Sequence, residues 1–254
     1  MNINKYNTMN VRFKSTLIFT VTIMISLCLT FHVDAQTWEN LPGHARDIAA
    51  GGDTTDVVWV IGDSYAAFKW NEENFSWQDM GGEATDIAVT QDGIPWVIND
   101  RQIYRLRGDV WQSMPGSARD IASGGGEVFV IGDSRAIYKW NEENFSWRDL
   151  GGEAEYLAVD EDGIPWAVQD RQIYRLRGDT WQSMPGSARA IGAGGGEVWA
   201  VGDSRAVYRW SEDNFGWQDL GGEASEVTAA GATGTPYVIE DNGTLIYRLR
   251  GWNN

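Results

Sequence analysis

The sequence is poor in the residues that carry most protein chemistry. It holds one cysteine and two histidines in 254 residues. The cysteine, Cys28, lies in an apolar leader, so the chain beyond it can form no disulfide. His44 is the only histidine after residue 35, and no G-x-S-x-G nucleophile turn occurs. Basic residues are also scarce: 20 Lys and Arg stand against 36 Asp and Glu, a net charge of −16. Such a surface repels phosphate backbones and anionic lipid at long range, which argues against nucleic acid as a partner. Beyond the leader no run is long and apolar enough to cross a bilayer. No segment sustains a 3.6-residue apolar period, so almost no helix is expected.

The leader itself is readable. Lys5, Arg12 and Lys14 precede an apolar run over 16–31, and Val33-Asp34-Ala35 puts small residues where a signal peptidase needs them. This pattern predicts a secretory signal peptide over 1–35, cleaved before Gln36, and hence a secreted or cell-surface protein. A retained membrane anchor is the alternative.

What the chain has in abundance is Gly (30) and Trp (14), and they recur with a period. A related stretch starts at Trp38, Trp77, Trp111, Trp147, Trp181 and Trp217, at spacings of 39, 34, 36, 34 and 36 residues. A fixed period of this length marks a repeat architecture. In the third copy, segments 118–123, 127–132, 136–141 and 145–150 alternate in polarity or are rich in β-branched and aromatic residues, with Gly, Asp, Asn and Ser between them. Four antiparallel strands, six times over, predict an all-β protein: a six-bladed β-propeller of four-stranded blades. The blades fall at about 45–80, 84–114, 118–150, 154–184, 188–220 and 224–250, all in one domain over 36–254. The last copy lacks its fourth strand, and 36–41 is a fourth strand with no blade before it. Closure of the ring by this N-terminal strand is therefore expected, which removes an exposed sheet edge. Odd copies carry P-G-(S/H)-A-R and G-D-S; even copies carry G-G-E-A, and two of them D-R-Q. The repeating unit is a pair of blades used three times.

The motif W-x-x-(L/M)-(P/G)-G, then (V/P)-W-(A/V), then an I-Y-(R/K)-like strand resembles the tectonin repeat. It reads here as 181–186, Val198-Trp199-Ala200 and Val207-Tyr208-Arg209. All six copies match, with Phe129 and Tyr237 replacing the second-strand Trp. The resemblance implies a six-bladed propeller lectin that binds cell-surface glycans, including O-methylated sugars or lipopolysaccharide. It brings no catalytic residues.

Candidate binding residues lie at the polar turns. In a propeller the second-to-third-strand turns and the fourth-to-first-strand connections share one face. They carry Asp63, Asp100, Asp133, Asp170 and Asp203, then Arg101, Arg135, Arg171 and Arg205, and Glu83, Glu153 and Glu223. Asp and Arg together accept from and donate to vicinal hydroxyls; equally, Asp and Ser serve such turns as local caps. In the third strand, Trp70, Trp140 and Trp210 of the odd copies give way to Leu106, Leu176 and Leu249. They either pack between blades or offer a face on which a sugar ring stacks. Lys69, Arg105, Lys139, Arg175, Arg209 and Arg248 point to the other face of that strand, towards an ion pair with a neighbouring blade or an acidic sugar. The 160–163 sequence, DEDG, is an incomplete calcium loop and reads as a hairpin turn. Asn74, Asn144 and Asn242 head glycosylation sequons.

Catalysis needs dissimilar groups converging on one point, whereas this chain repeats similar groups around a ring. The expectation is a multivalent glycan-binding protein with no enzymatic activity, cofactor or metal. A protein-binding propeller scaffold is the alternative.

Overall fold

Val, Ile and aromatic residues alternate with small residues in short runs, and each run ends at Gly, Asp or Asn. Those runs are the strands of a computed structural model that describes residues 36–240 and 244–252. The expected leader, its cleavage site and the sequon at Asn242 lie outside the described residues. Every regular element among the described residues is a β-strand. The third copy shows how the sequence places them: strands Asp120–Gly124, Glu127–Ile131, Ala136–Asn141 and Ser146–Glu153 pair antiparallel in chain order.

Four sheets, over 86–117, 120–153, 156–187 and 190–219, have four strands each. A fifth has seven strands and holds both ends of the repeat region. Its central member is the long strand Thr37–Gly51. Residues 37–41 of that strand pair with 246–250, Trp38 opposite Leu249. Residues 47–51 pair with 57–61 instead. Register breaks fall between Leu41 and His44 and between Ala45 and Asp47. The result is an all-β, propeller-like architecture.

The first strand of each repeat is small because inner strands approach closely. A Cβ on Gly124 would lie 2.2 Å from the Val159 carbonyl oxygen, and one on Gly192 the same distance from that of Val227. The apolar side chains do not fill one central core. They form clusters between successive sheets, each mixing residues of two neighbours; Trp96 and Ile98 pack with Ile121, Val128 and Trp140, for example.

Three of the Trp residues that open repeats clamp onto the Pro-Gly segment of an earlier strand. Trp147 donates its indole N–H to the Pro115 carbonyl at 2.7 Å, Trp77 to Pro42 at 2.6 Å and Trp217 to Pro185 at 2.8 Å. The Gly after each Pro takes positive φ (Gly116, +86°) and leaves room for the ring, whose edge lies 3.2 Å from where a Cβ would be. This is the physical content of the Trp…Pro-Gly motif.

Candidate functional site

The face carrying the second-to-third-strand turns is built from unusual backbone. Asp100 and Arg101 adopt φ of 47° and 71°, and Asp170 and Arg171 49° and 68°. Tyr65, Arg135 and Arg205 occupy the matching left-handed position at 66–69°. For side chains with a Cβ this region is sparsely populated. It projects an Arg from the same place in four turns.

The structure pairs these residues across sheets rather than within a turn. Arg101 Nη1 donates to Asp133 Oδ1 at 2.6 Å, from one sheet to the next. Ser117 Oγ donates to the other Asp133 oxygen at 2.6 Å, and Arg119 Nε to the Asp133 carbonyl at 3.1 Å. The arrangement recurs one pair of sheets on: Arg171 pairs with Asp203, and Ser187 donates to Asp203 at 2.7 Å. The Ser117 hydroxyl and then Arg101 hold the Asp133 carboxyl below the usual carboxylate range; Ser187 and Arg171 do the same for Asp203. Both ion pairs remain about half exposed. At the third position Arg46 donates to the Asp63 carbonyl at 3.2 Å and stacks over Tyr65, while His44 Nδ1 meets Thr244 Oγ1 at 2.5 Å. Arg135 turns away from Asp133 to Glu155 at 3.3 Å. Glu83 and Glu153 sit exposed opposite Ala66 and Ala136, and Glu223 is exposed as well.

The tryptophans do not belong to this site, which corrects the stacking expectation. Trp140 and Trp210 are 7% and 5% exposed, and Trp70 is partly buried against Phe75 and Trp77. Trp140 meets Trp96 edge-on at 5.7 Å and Trp210 meets Trp166 at 5.6 Å, each across a seam between sheets. They also stand at the far end of the third strand. At about 3.3 Å per residue, Trp140 is roughly 13 Å along the chain from Ala136 at the turn. Their rings fill the apolar space that Leu fills in the alternate sheets.

The opposite face holds polar contacts of its own. Arg105 Nη1 crosses to Glu142 Oε2 at 2.7 Å and its guanidinium lies over the Trp96 ring. Arg175 pairs with Glu212 over Trp166, and Arg248 with Glu72 at 2.7 Å. Lys139 and Arg209 instead pair inside their own sheets, with Glu127 and Glu197. A groove of about 580 Å³ opens beside Arg105, lined by Asp92, Arg107, Glu127, Trp140 and Glu142 among others. Sequence reasoning missed Glu72, Glu142 and Glu212. Their signal was the Asn/Ser-Glu turn present only in odd repeats. It also missed three inner-strand aspartates, Asp47, Asp86 and Asp120, marked by a Asp-Ile-Ala triplet in successive repeats.

The fold and its repeated inter-sheet turns define a propeller-like repeat protein. Residues 166–253 match the Tectonin domain model, which supports assignment of the chain to the tectonin family. A search of curated proteins found no match. Solved structures of similar fold include a structural genomics protein of unknown function from Bacteroides thetaiotaomicron, 12% identical, with a TM-score of 0.65 over 85% of this chain and 76% of that one. A gluconolactonase from Xanthomonas campestris, XC5397, is 13% identical with a TM-score of 0.63, covering 85% and 89%. The WD40 β-propeller domain of Doa1 is 15% identical with a TM-score of 0.57, covering 83% and 95%. At these identities the likeness concerns fold alone.

Proposed function

We propose that this protein is a secreted, non-enzymatic lectin that binds cell-surface glycans at several equivalent places on the turn face. The observation that carries the reading is the half-exposed Arg101–Asp133 pair and its copy Arg171–Asp203. Each presents guanidinium donors beside carboxylate acceptors, the combination that vicinal sugar hydroxyls need. The tectonin match supports it. The architecture we infer is a ring of six four-stranded blades. In it the seven-stranded sheet is two blades, and residues 37–41 supply the outer strand of the blade begun at Ala224. Repetition around a ring suits avidity for a crowded surface.

A glycan array probed with the chain from Gln36 onward tests the reading. Binding to a defined set of sugars, lost on changing Arg101 and Asp133 together with Arg171 and Asp203, is the expected result. An empty array combined with capture of a specific protein partner would favour a scaffold instead. That second reading has one observation of its own: Phe145 and Phe215 are 43% and 47% exposed at the opposite face, at positive φ.

A further inference from the structure

A groove of about 520 Å³ opens between the sheets of 120–153 and 156–187. It lies at the end opposite the turn face, beside Gly163 and Gly178 of the first-to-second and third-to-fourth strand turns. Its floor is apolar, with Phe129, Leu150 and Leu176, and its cations include Lys139, Arg148 and Arg177. No Asp or Glu lines it, in a chain of net charge −16. Lys139 is neutralised by Glu127 at 2.8 Å and lies over the Phe129 ring. Arg175, which also borders the groove, is taken up by Asp160 and Glu212. Arg148 and Arg177 are exposed, one on each wall, and neither side chain has an ion pair or hydrogen bond among the described residues.

The repeat shows what such a groove accepts. One pair of sheets on, between 190–219 and the strands of 224–250, the lining has counterparts: Trp199 for Phe129, Arg209 for Lys139, Leu220 for Leu150, Leu249 for Leu176 and Gly251 for Gly178. The residue after Gly251 is Trp252, and its indole packs into that seam against Leu220 and Leu249. It meets Trp199 edge-on at 4.9 Å, and the Arg209 guanidinium lies 5.0 Å from the ring centre. The protein thus seats an indole of its own at the matching place. Two substitutions set the groove at 120–153 apart. Phe129 stands where Trp59 and Trp199 stand in the other odd repeats, so a smaller ring leaves apolar space in the seam. Arg148 stands where Gln78 and Gln218 stand, which adds a positive charge beside that space. In the strand registers Lys139 is opposite both Phe129 and Arg148, so the three share one face.

We propose that this groove is a further binding site, for a small aromatic carboxylate. The ring sits among Phe129, Leu150 and Leu176 beneath Lys139, and Arg148 and Arg177 hold the carboxylate. A flat ring gains edge-on aromatic and cation–π contacts there, as Trp252 does in its own seam. A guanidinium without a partner takes a carboxylate through paired, charge-assisted hydrogen bonds. The site is separate from the turn face and does not rest on glycan binding there.

The test uses the whole chain from Gln36 with methyl-labelled leucines, titrated with N-acetyltryptophan and followed by NMR. The probe should shift the Leu150 and Leu176 methyls and leave those of Leu220 and Leu249, which Trp252 covers, unmoved. N-acetyltryptophanamide, which keeps the ring and lacks the charge, should bind about tenfold more weakly. N-acetylalanine, which keeps the charge and lacks the ring, should move neither pair of leucines. Arg148→Gln, which copies the other odd repeats, should narrow the difference between the two tryptophan probes. Phe129→Trp should fill the groove and abolish the shifts, and Trp252→Ala should bring Leu220 and Leu249 into the shifted set. Wild-type Leu150 and Leu176 methyls unmoved by millimolar N-acetyltryptophan overturn the proposal, and that measurement stands even if a variant fails to fold. An equal response to N-acetylalanine, or undiminished shifts in a folded Phe129→Trp, overturns it equally.

Discussion

The seams between neighbouring sheets are of two kinds, and they alternate. At the seam of 86–117 with 120–153, a Trp pair is flanked by an ion pair on each face, Arg101–Asp133 and Arg105–Glu142. The seam of 156–187 with 190–219 repeats it with Arg171–Asp203 and Arg175–Glu212. Within the seven-stranded sheet, Arg248 of strand 245–250 keeps the lower pair with Glu72. The other seams keep aromatic contacts, Trp59 with Trp111 and Trp199 with Trp252, but among the described residues show no third-strand Arg reaching a Glu of the next sheet. At 120–153 with 156–187, Phe129 and partly buried Trp181 and Tyr174 pack together, and among the described residues the ion pair is the exposed Arg135–Glu155. One difference produces the alternation: even repeats place an Arg where it reaches forward, and odd repeats offer the Glu and the Trp that receive it. The duplicated unit legible in the sequence is thus a pair of sheets welded through charge and aromatics. The candidate glycan positions sit on the welded seams.

The largest effect should come from opening the seam that joins the chain ends. Deleting residues 36–41 removes buried Trp38 and Leu41 and a run of strand pairing. At about 1.5–3 kcal/mol for each fully buried large side chain, with the ladder besides, the loss should exceed about 4 kcal/mol. Urea melts should show it, and an unchanged midpoint would contradict the inferred ring.

Next in size is the aromatic weld. Trp140→Ala should cost about 3–5 kcal/mol, since the ring is buried between two sheets. Trp140→Leu, which copies the other seams, should cost clearly less. Equal losses would mean that the two seams do not differ in how they use that position.

The charge weld gives a smaller and asymmetric result. Arg105 is 7% exposed, and its Nε and Nη2 have no hydrogen-bond partner. Glu142→Gln, which leaves the guanidinium without its anion, should destabilise by about 2 kcal/mol. Arg105→Met removes the charge with its partner exposed and should fall within about 1 kcal/mol of wild type. A larger loss for Arg105→Met than for Glu142→Gln would reverse the account. Hydrogen bonds from Arg105 and then Trp140 hold Glu142 below its ordinary range, so its contribution is present above about pH 4.5 and lost as pH falls through the folded value.

The contrast also shows what a sequence can carry. Strand segments were legible because period-2 alternation and turn residues are local: the Ala136–Asn141 strand stands where the pattern put it. The turn residues were legible as a group on one face. Their partners were not, because Asp133 meets Arg101, 32 residues earlier, and not Arg135, two residues later. Trp140 read equally well as a stacking platform or as packing, since only the neighbouring sheet decides whether its face is covered. The inner aspartates escaped for the same reason: a polar residue in an apolar strand looks like an exception until six inner strands converge on one cavity.

The smallest structural change offers the most direct functional test. Arg101→Ala with Asp133→Ala removes a half-exposed pair, so stability should shift by no more than about 1 kcal/mol. Titration calorimetry of this variant against a monovalent glycan found on the array should show a stoichiometry one lower than wild type, with the remaining sites at unchanged affinity. Unchanged stoichiometry and affinity, in a variant that melts like the wild type, would contradict glycan binding at the welded seams.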